Sequence, residues 1–119
     1  MVDVQNPVVL DQHDVPQPDL AVLRFRPEGY PKHPRPADIL LVIEVADSSL
    51  AYDRDIKMPL YAGTGVPEAW LVNLPADRVD VYRKPVAGSY TEVTSLSRGA
   101  TLTPLALPGV RLSVDQILG

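Results

Sequence analysis

Residues 39–49, ILLVIEVADSS, open on the most strand-like apolar run of the chain, 39–46, and a single carboxylate, Glu44, interrupts that run. In an extended strand Leu40, Val42 and Glu44 fall on one face and Leu41, Ile43 and Val45 on the other. Both faces are apolar until Glu44, which is the pattern of a central strand covered on both sides. Glutamate is seldom fully buried without a partner, because an ionised carboxylate moved out of water costs several kcal/mol even after relaxation. The pattern predicts a strand that carries Glu44 to a place where something compensates its charge.

Further strands are predicted at VDVQNPVVL (2–10), DLAVLRF (19–25), EAWLVNL (68–74), RVDVYRKP (78–85) and YTEVTSLS (90–97), with a last one near GVRLSV (109–114). Pro7 demotes the first of these to an edge or bulged strand. Two helices are expected. The principal one covers 53–62, where Ile56 and Leu60 are spaced to pack on a sheet and Gly63 and Gly65 are stop signals. Pro59 removes the bond to the Asp55 carbonyl, so its first turn should be kinked or irregular. The second is short, 113–118, and Ser113 and Gln116 have the spacing of a capping box.

The segment from Ile39 through the principal helix to EAWLVNL reads as strand, helix, strand, with a crossover long enough for parallel pairing. From Glu68 to about Ser97 the turns PADR and PVAGS separate strands of an antiparallel meander. Ahead of Ile39, the Pro-rich loop RPEGYPKHPRPAD joins DLAVLRF to the Glu44 strand, and antiparallel pairing is the simple solution. If Arg24 pairs near Ile39, the constant sum of partner numbers in such a ladder sets Asp19 opposite Glu44. The fold class is therefore α/β and β-rich, a mixed central sheet with one principal helix, in a single domain over 1–119.

Like charges directly opposed on a strand pair are destabilising unless a cation lies between them. Oxygen ligands with no cysteine and little histidine select a hard ion, Mg²⁺ or Mn²⁺, over zinc. Such an ion suits phosphodiester hydrolysis, and Lys57, on the helix that follows Glu44, is the candidate charge stabiliser. Each residue also has a plainer reading. Asp19 could begin a strand from solvent, Glu44 could pair with an arginine as a satisfied core carboxylate, and Lys57 could be the exposed i, i+4 partner of Asp53. His13 and His33 read as solvated loop residues, Tyr61 and Trp70 as core. The cluster Arg24, Arg26, Lys32 and Arg35 lies at the far end of the hairpin from Asp19 and reads as a solvated loop.

Composition narrows the field. The 119 residues carry 11 basic and 15 acidic side chains, a net charge of −4, so no basic footprint covers the whole surface and a phosphate partner must be met locally. The absence of cysteine excludes disulfides and thiolate metal sites, and no apolar run or leader pattern suggests a membrane span or export. A cytoplasmic protein is the default.

QPDLAVLR, LLVIEVADSSLAYDRDIKMPLYAGTGVPEAWLVNL and VDVYRKP resemble the Uma-two-like family of putative restriction endonucleases, a branch of the PD-(D/E)xK nuclease superfamily. The resemblance implies a restriction-endonuclease-like core and a Mg²⁺- or Mn²⁺-dependent endonuclease acting on nucleic acid, DNA ahead of RNA. It implies Asp19 and Glu44 as acidic ligands, the Val45 carbonyl as a further ligand and Lys57 as the catalytic lysine. The superfamily's usual strand lysine would stand at Ala46, and the similar branch carries it on the following helix. Only 17 residues precede Pro18 and none reads as the family's N-terminal helix. One sheet face or edge should then lack cover, which points to a homodimer. The alternative is an inactive nuclease-fold module serving protein–protein interaction or self-association.

Overall fold

The computed structural model describes residues 2–4, in backbone only, 19–24 and 36–119. Pro7, His13, Arg26, Lys32, His33 and Arg35 lie outside the described residues. Six strands form one sheet in chain order: β1 (Val2–Val4), β2 (Leu20–Leu23), β3 (Ile39–Ala46), β4 (Glu68–Asn73), β5 (Arg78–Val86) and β6 (Ser89–Ser97). The pairings β1–β2, β2–β3, β4–β5 and β5–β6 are antiparallel, whereas β3–β4 is parallel across the crossover helix. The sheet is mixed, as the strand–helix–strand and meander patterns predict. A second, two-stranded sheet pairs β7 (Thr101–Leu102) with β8 (Leu112–Ser113), so the GVRLSV strand is shorter than its sequence suggests.

Both sheet faces are covered, which explains the apolar character of β3 and the complete burial of β4. On one face Val42, Ala46, Ala69 and Leu71 pack with Met58, Tyr61 and Ala62 of the crossover helix. On the other, Leu41, Trp70, Val72, Val79 and Val81 pack with Leu102 and Val114 of the C-terminal segment. The C-terminal helix (Val114–Leu118) starts on the predicted capping box: Gln116 N–H donates to Ser113 Oγ, and Ser113 N–H to Gln116 Oε1, each at 3.0 Å. At the β5–β6 hairpin Ala87 and Gly88 both take positive φ, 52° and 81°, as a two-residue turn of this hand requires. Among the described residues, no helix is long and apolar enough to cross a membrane.

The crossover helix departs from its sequence pattern in an informative way. It begins at Leu50 rather than Asp53, and its parts are an α-turn (Leu50–Tyr52), a π-helical stretch (Asp53–Lys57) and an α-helical end (Met58–Gly63). Met58 N–H reaches back five residues to the Asp53 carbonyl. The cause is Pro59: its ring has no N–H for the Asp55 carbonyl and crowds it, and a widened turn accommodates both. The extra residue in the turn rotates what precedes it. Ile56, expected against the sheet, is 47% exposed, and Leu60 is only half-buried, while Met58, Tyr61 and Ala62 face the core.

Candidate metal and phosphate site

The ladder between β2 and β3 pairs Leu20 with Ile43, Ala21 with Val42 and Val22 with Leu41, and its extension sets Asp19 across from Glu44. A bulge then shifts the register, so that Leu23, not Arg24, pairs with Ile39. The bulge lies beyond the pairs that place Asp19, and the sequence-derived juxtaposition survives it. Directly opposed residues share a sheet face. Asp19 is exposed, and one of its carboxylate oxygens, Oδ2, accepts the Val45 N–H at 2.7 Å. In an extended strand the N–H and C=O of one residue point to the same side. The Val45 carbonyl therefore projects toward the edge on which Asp19 sits.

Glu44 is 1% exposed. Its Oε1 accepts from the Tyr61 hydroxyl at 2.7 Å and its Oε2 from Lys57 Nζ at 2.9 Å. Burial raises the Glu44 pKa, the bonds from Tyr61 and Lys57 pull it back, and the nearby Asp19 charge adds to the rise. Tyr61 is held far above the usual tyrosine range by burial and by Glu44, so it remains a donor. Burial works against the Lys57 ammonium, but Glu44 and then Asp53 outweigh it and raise its pKa overall. The Tyr52 ring lies 5.9 Å from Lys57 Nζ, within cation–π range.

Asp53 is buried as well. Its Oδ2 accepts from Ser49 Oγ at 2.8 Å, and its Oδ1 lies 3.2 Å from Lys57 Nζ with no aligned hydrogen bond. The Asp53–Lys57 pair is thus real but not the exposed surface pair that spacing alone suggests. Tyr61 is core, as expected, yet its hydroxyl also orients Glu44. The signal for both was in the chain: Asp53, Lys57 and Tyr61 recur at intervals of four on the helix after Glu44. Arginine pairs with other buried carboxylates, Arg83 with Glu68 and Arg78 with Asp80.

Among the described residues, no three His, Cys, Asp or Glu side chains gather as a metal-holding group. The oxygen set of Asp19, Glu44 and the Val45 carbonyl nonetheless suits Mg²⁺ or Mn²⁺, ions bound through one or two carboxylates and completed by water and phosphate oxygens. Asp19 adds negative charge to the field at Glu44.

No curated protein matches the chain. In fold it is similar to a crystal structure of a putative nuclease belonging to DUF820 from Anabaena variabilis ATCC 29413, with a TM-score of 0.69 at 16% identity. The match covers 98% of this chain and 66% of that one, so this chain spans just under two-thirds of that protein's length. It establishes a nuclease-like fold. The family model Uma2, described as a putative restriction endonuclease, matches residues 1–115, and the chain belongs to that family.

Proposed function

We propose that this chain is the core of a metal-dependent endonuclease that hydrolyses phosphodiester bonds of nucleic acid in the cytoplasm, DNA ahead of RNA. One observation carries the reading: Lys57 Nζ sits 2.9 Å from Glu44 Oε2, on the sheet face where the β2–β3 ladder sets Asp19 across from Glu44. Asp19, Glu44 and the Val45 carbonyl would hold Mg²⁺ or Mn²⁺. Bound there, such an ion supplies Lewis-acid polarisation of the phosphodiester and a more acidic water. Lys57 donates to a phosphate oxygen and stabilises the charge that develops on it. Tyr61 keeps the Glu44 carboxylate in one orientation, and the Val45 N–H does the same for Asp19. The family description supports nucleic acid as the substrate class.

The test is cleavage of duplex DNA, single-stranded DNA and RNA with Mg²⁺ or Mn²⁺, with and without chelator. Wild type should cleave in a metal-dependent way, and Lys57→Ala, checked as folded by circular dichroism, should lose roughly 10²-fold, the scale of one lost electrostatic stabiliser. No metal-dependent cleavage of any substrate by wild type would reject the enzyme and favour the interaction module. The reading includes a homodimer joined along β1, which occupies one edge of the sheet. Light scattering that shows only monomer at micromolar concentration would remove that part.

A further inference from the structure

The proposed chemistry uses Asp19, Glu44 and Lys57, and leaves a third carboxylate of the same cluster without a task. Asp53 is 2% exposed, its Oδ2 is engaged by Ser49, and its Oδ1 is a buried acceptor with no hydrogen bond. Its near neighbour is Lys57 Nζ at 3.2 Å, whose hydrogen bond goes to Glu44 instead. One ammonium therefore stands between two buried acids, bonded to one and merely close to the other. Two buried carboxylates, Glu44 and Asp53, share one cation, Lys57, and Asp19 adds its negative charge to the field at Glu44.

We propose that Asp53 is a positioning residue, the second anchor for Lys57: when a divalent ion takes the Glu44 oxygen, the ammonium moves its hydrogen bond to Asp53 Oδ1. This inference rests on the metal-ligand reading of Asp19 and Glu44. A small rotation of the lysine head suffices, since both oxygens already lie within 3.2 Å of Nζ. Ser49 fixes the far oxygen, so Oδ1 stays aimed at the lysine. The π-helical stretch begins at Asp53 and ends at Lys57, and so sets their separation. With Asp53 present, displacing Lys57 from Glu44 exchanges one buried partner for another. Without it, the ion must expel an ammonium that has no second carboxylate to receive it. Asp53 thus couples ion binding to the placement of Lys57 beside the phosphate.

A double-mutant cycle on Mn²⁺ affinity tests this without reference to cleavage. The affinity of the full chain for Mn²⁺ is read from loss of the free-ion paramagnetic resonance signal, in wild type, Asp53→Asn, Lys57→Met and the double variant. Asp53→Asn should weaken Mn²⁺ binding about tenfold when Lys57 is present and about twofold or less when residue 57 is Met, a coupling in the range found for residues of one network. Lys57→Met alone should tighten binding, because a competing cation is gone. Asp53→Glu, which keeps the carboxylate, should restore most of the affinity. Should Asp53→Asn fail to fold, Ser49→Ala, which releases the anchor's far oxygen, should weaken binding two- to threefold, again only when Lys57 is present. Equal weakening in both lysine backgrounds would show a through-space charge effect and overturn the anchor, as would no weakening at all. If wild type binds no Mn²⁺ at millimolar concentration, the ligand reading of Asp19 and Glu44 falls and the anchor with it. An inactive chain that still shows the cycle would leave the anchor standing.

Discussion

Two fully buried glutamates stand on neighbouring strands, and they are solvated in opposite ways. Glu68, at the start of β4, accepts from Trp70 Nε1 at 2.9 Å, from Arg83 Nε at 2.8 Å and from the Leu105 N–H at 2.9 Å, and Arg83 Nη2 completes the ion pair at 2.8 Å. Arg83 passes on to the Thr103 carbonyl at 2.9 Å. These bonds fasten the segment ahead of β8 to the sheet. Glu44, on β3, has two donors, a lysine and a tyrosine, with a second acid on the adjacent strand that raises its pKa further. Arginine is always charged and offers donors in a fixed fork, so Glu68 has a cation that stays in place. Lysine is a compact, movable charge, and a carboxylate with spare lone pairs beside another acid keeps capacity for a cation. Burial alone does not tell the two acids apart; how completely each is compensated does.

The sharpest way to break this contrast is Arg83→Ala. It leaves Glu68 buried without its cation and should cost about 3–5 kcal/mol, the range for removing one partner of a buried pair, read as a lowered urea midpoint. Lys57→Ala should cost less, about 1–3 kcal/mol, while removing roughly 10²-fold of any metal-dependent cleavage. A stability loss from Lys57→Ala as large as that from Arg83→Ala would mean that Glu44 is a structural acid like Glu68. The third effect is a pH dependence. Because the folded-state pKa of Glu44 lies above its ordinary value of 4.5, its contribution to stability is fully present below that value and is lost as pH rises through the raised pKa. Stability measured across this interval should fall less steeply in Glu44→Gln than in wild type, and identical slopes would remove the desolvation argument. The smallest effect is expected at Ile56. Its side chain is half-exposed by the π-helical stretch, so Ile56→Ala should change stability by no more than about 0.5 kcal/mol; a cost of 2 kcal/mol or more, on the scale of a buried Ile→Ala, would return Ile56 to the core.

Period-two alternation, turn residues and a capping box are local signals, and local signals placed β2 to β6 and the C-terminal helix. The constant partner sum of an antiparallel ladder sufficed to bring Asp19 opposite Glu44, because the bulge falls on the far side of the pairs that matter. Pro59 announced an irregular helix but not the kind of irregularity. Whether its missing bond is met by a kink or by a widened turn depends on what the helix packs against, and that choice sent Ile56 outward and Met58 inward. Asp53 meets Ser49 and Lys57 one helical turn away on either side, but the distant donors of Glu44 and Glu68 were decided by tertiary structure alone. Glu68 and Arg83 are 15 residues apart and Glu44 and Tyr61 are 17 apart, separations at which no helical or strand period ties one side chain to another. Alternation along a strand says that a carboxylate enters the interior, but which donors meet it there, and whether they saturate it, follows only from how the sheet, the crossover helix and the C-terminal segment close around it.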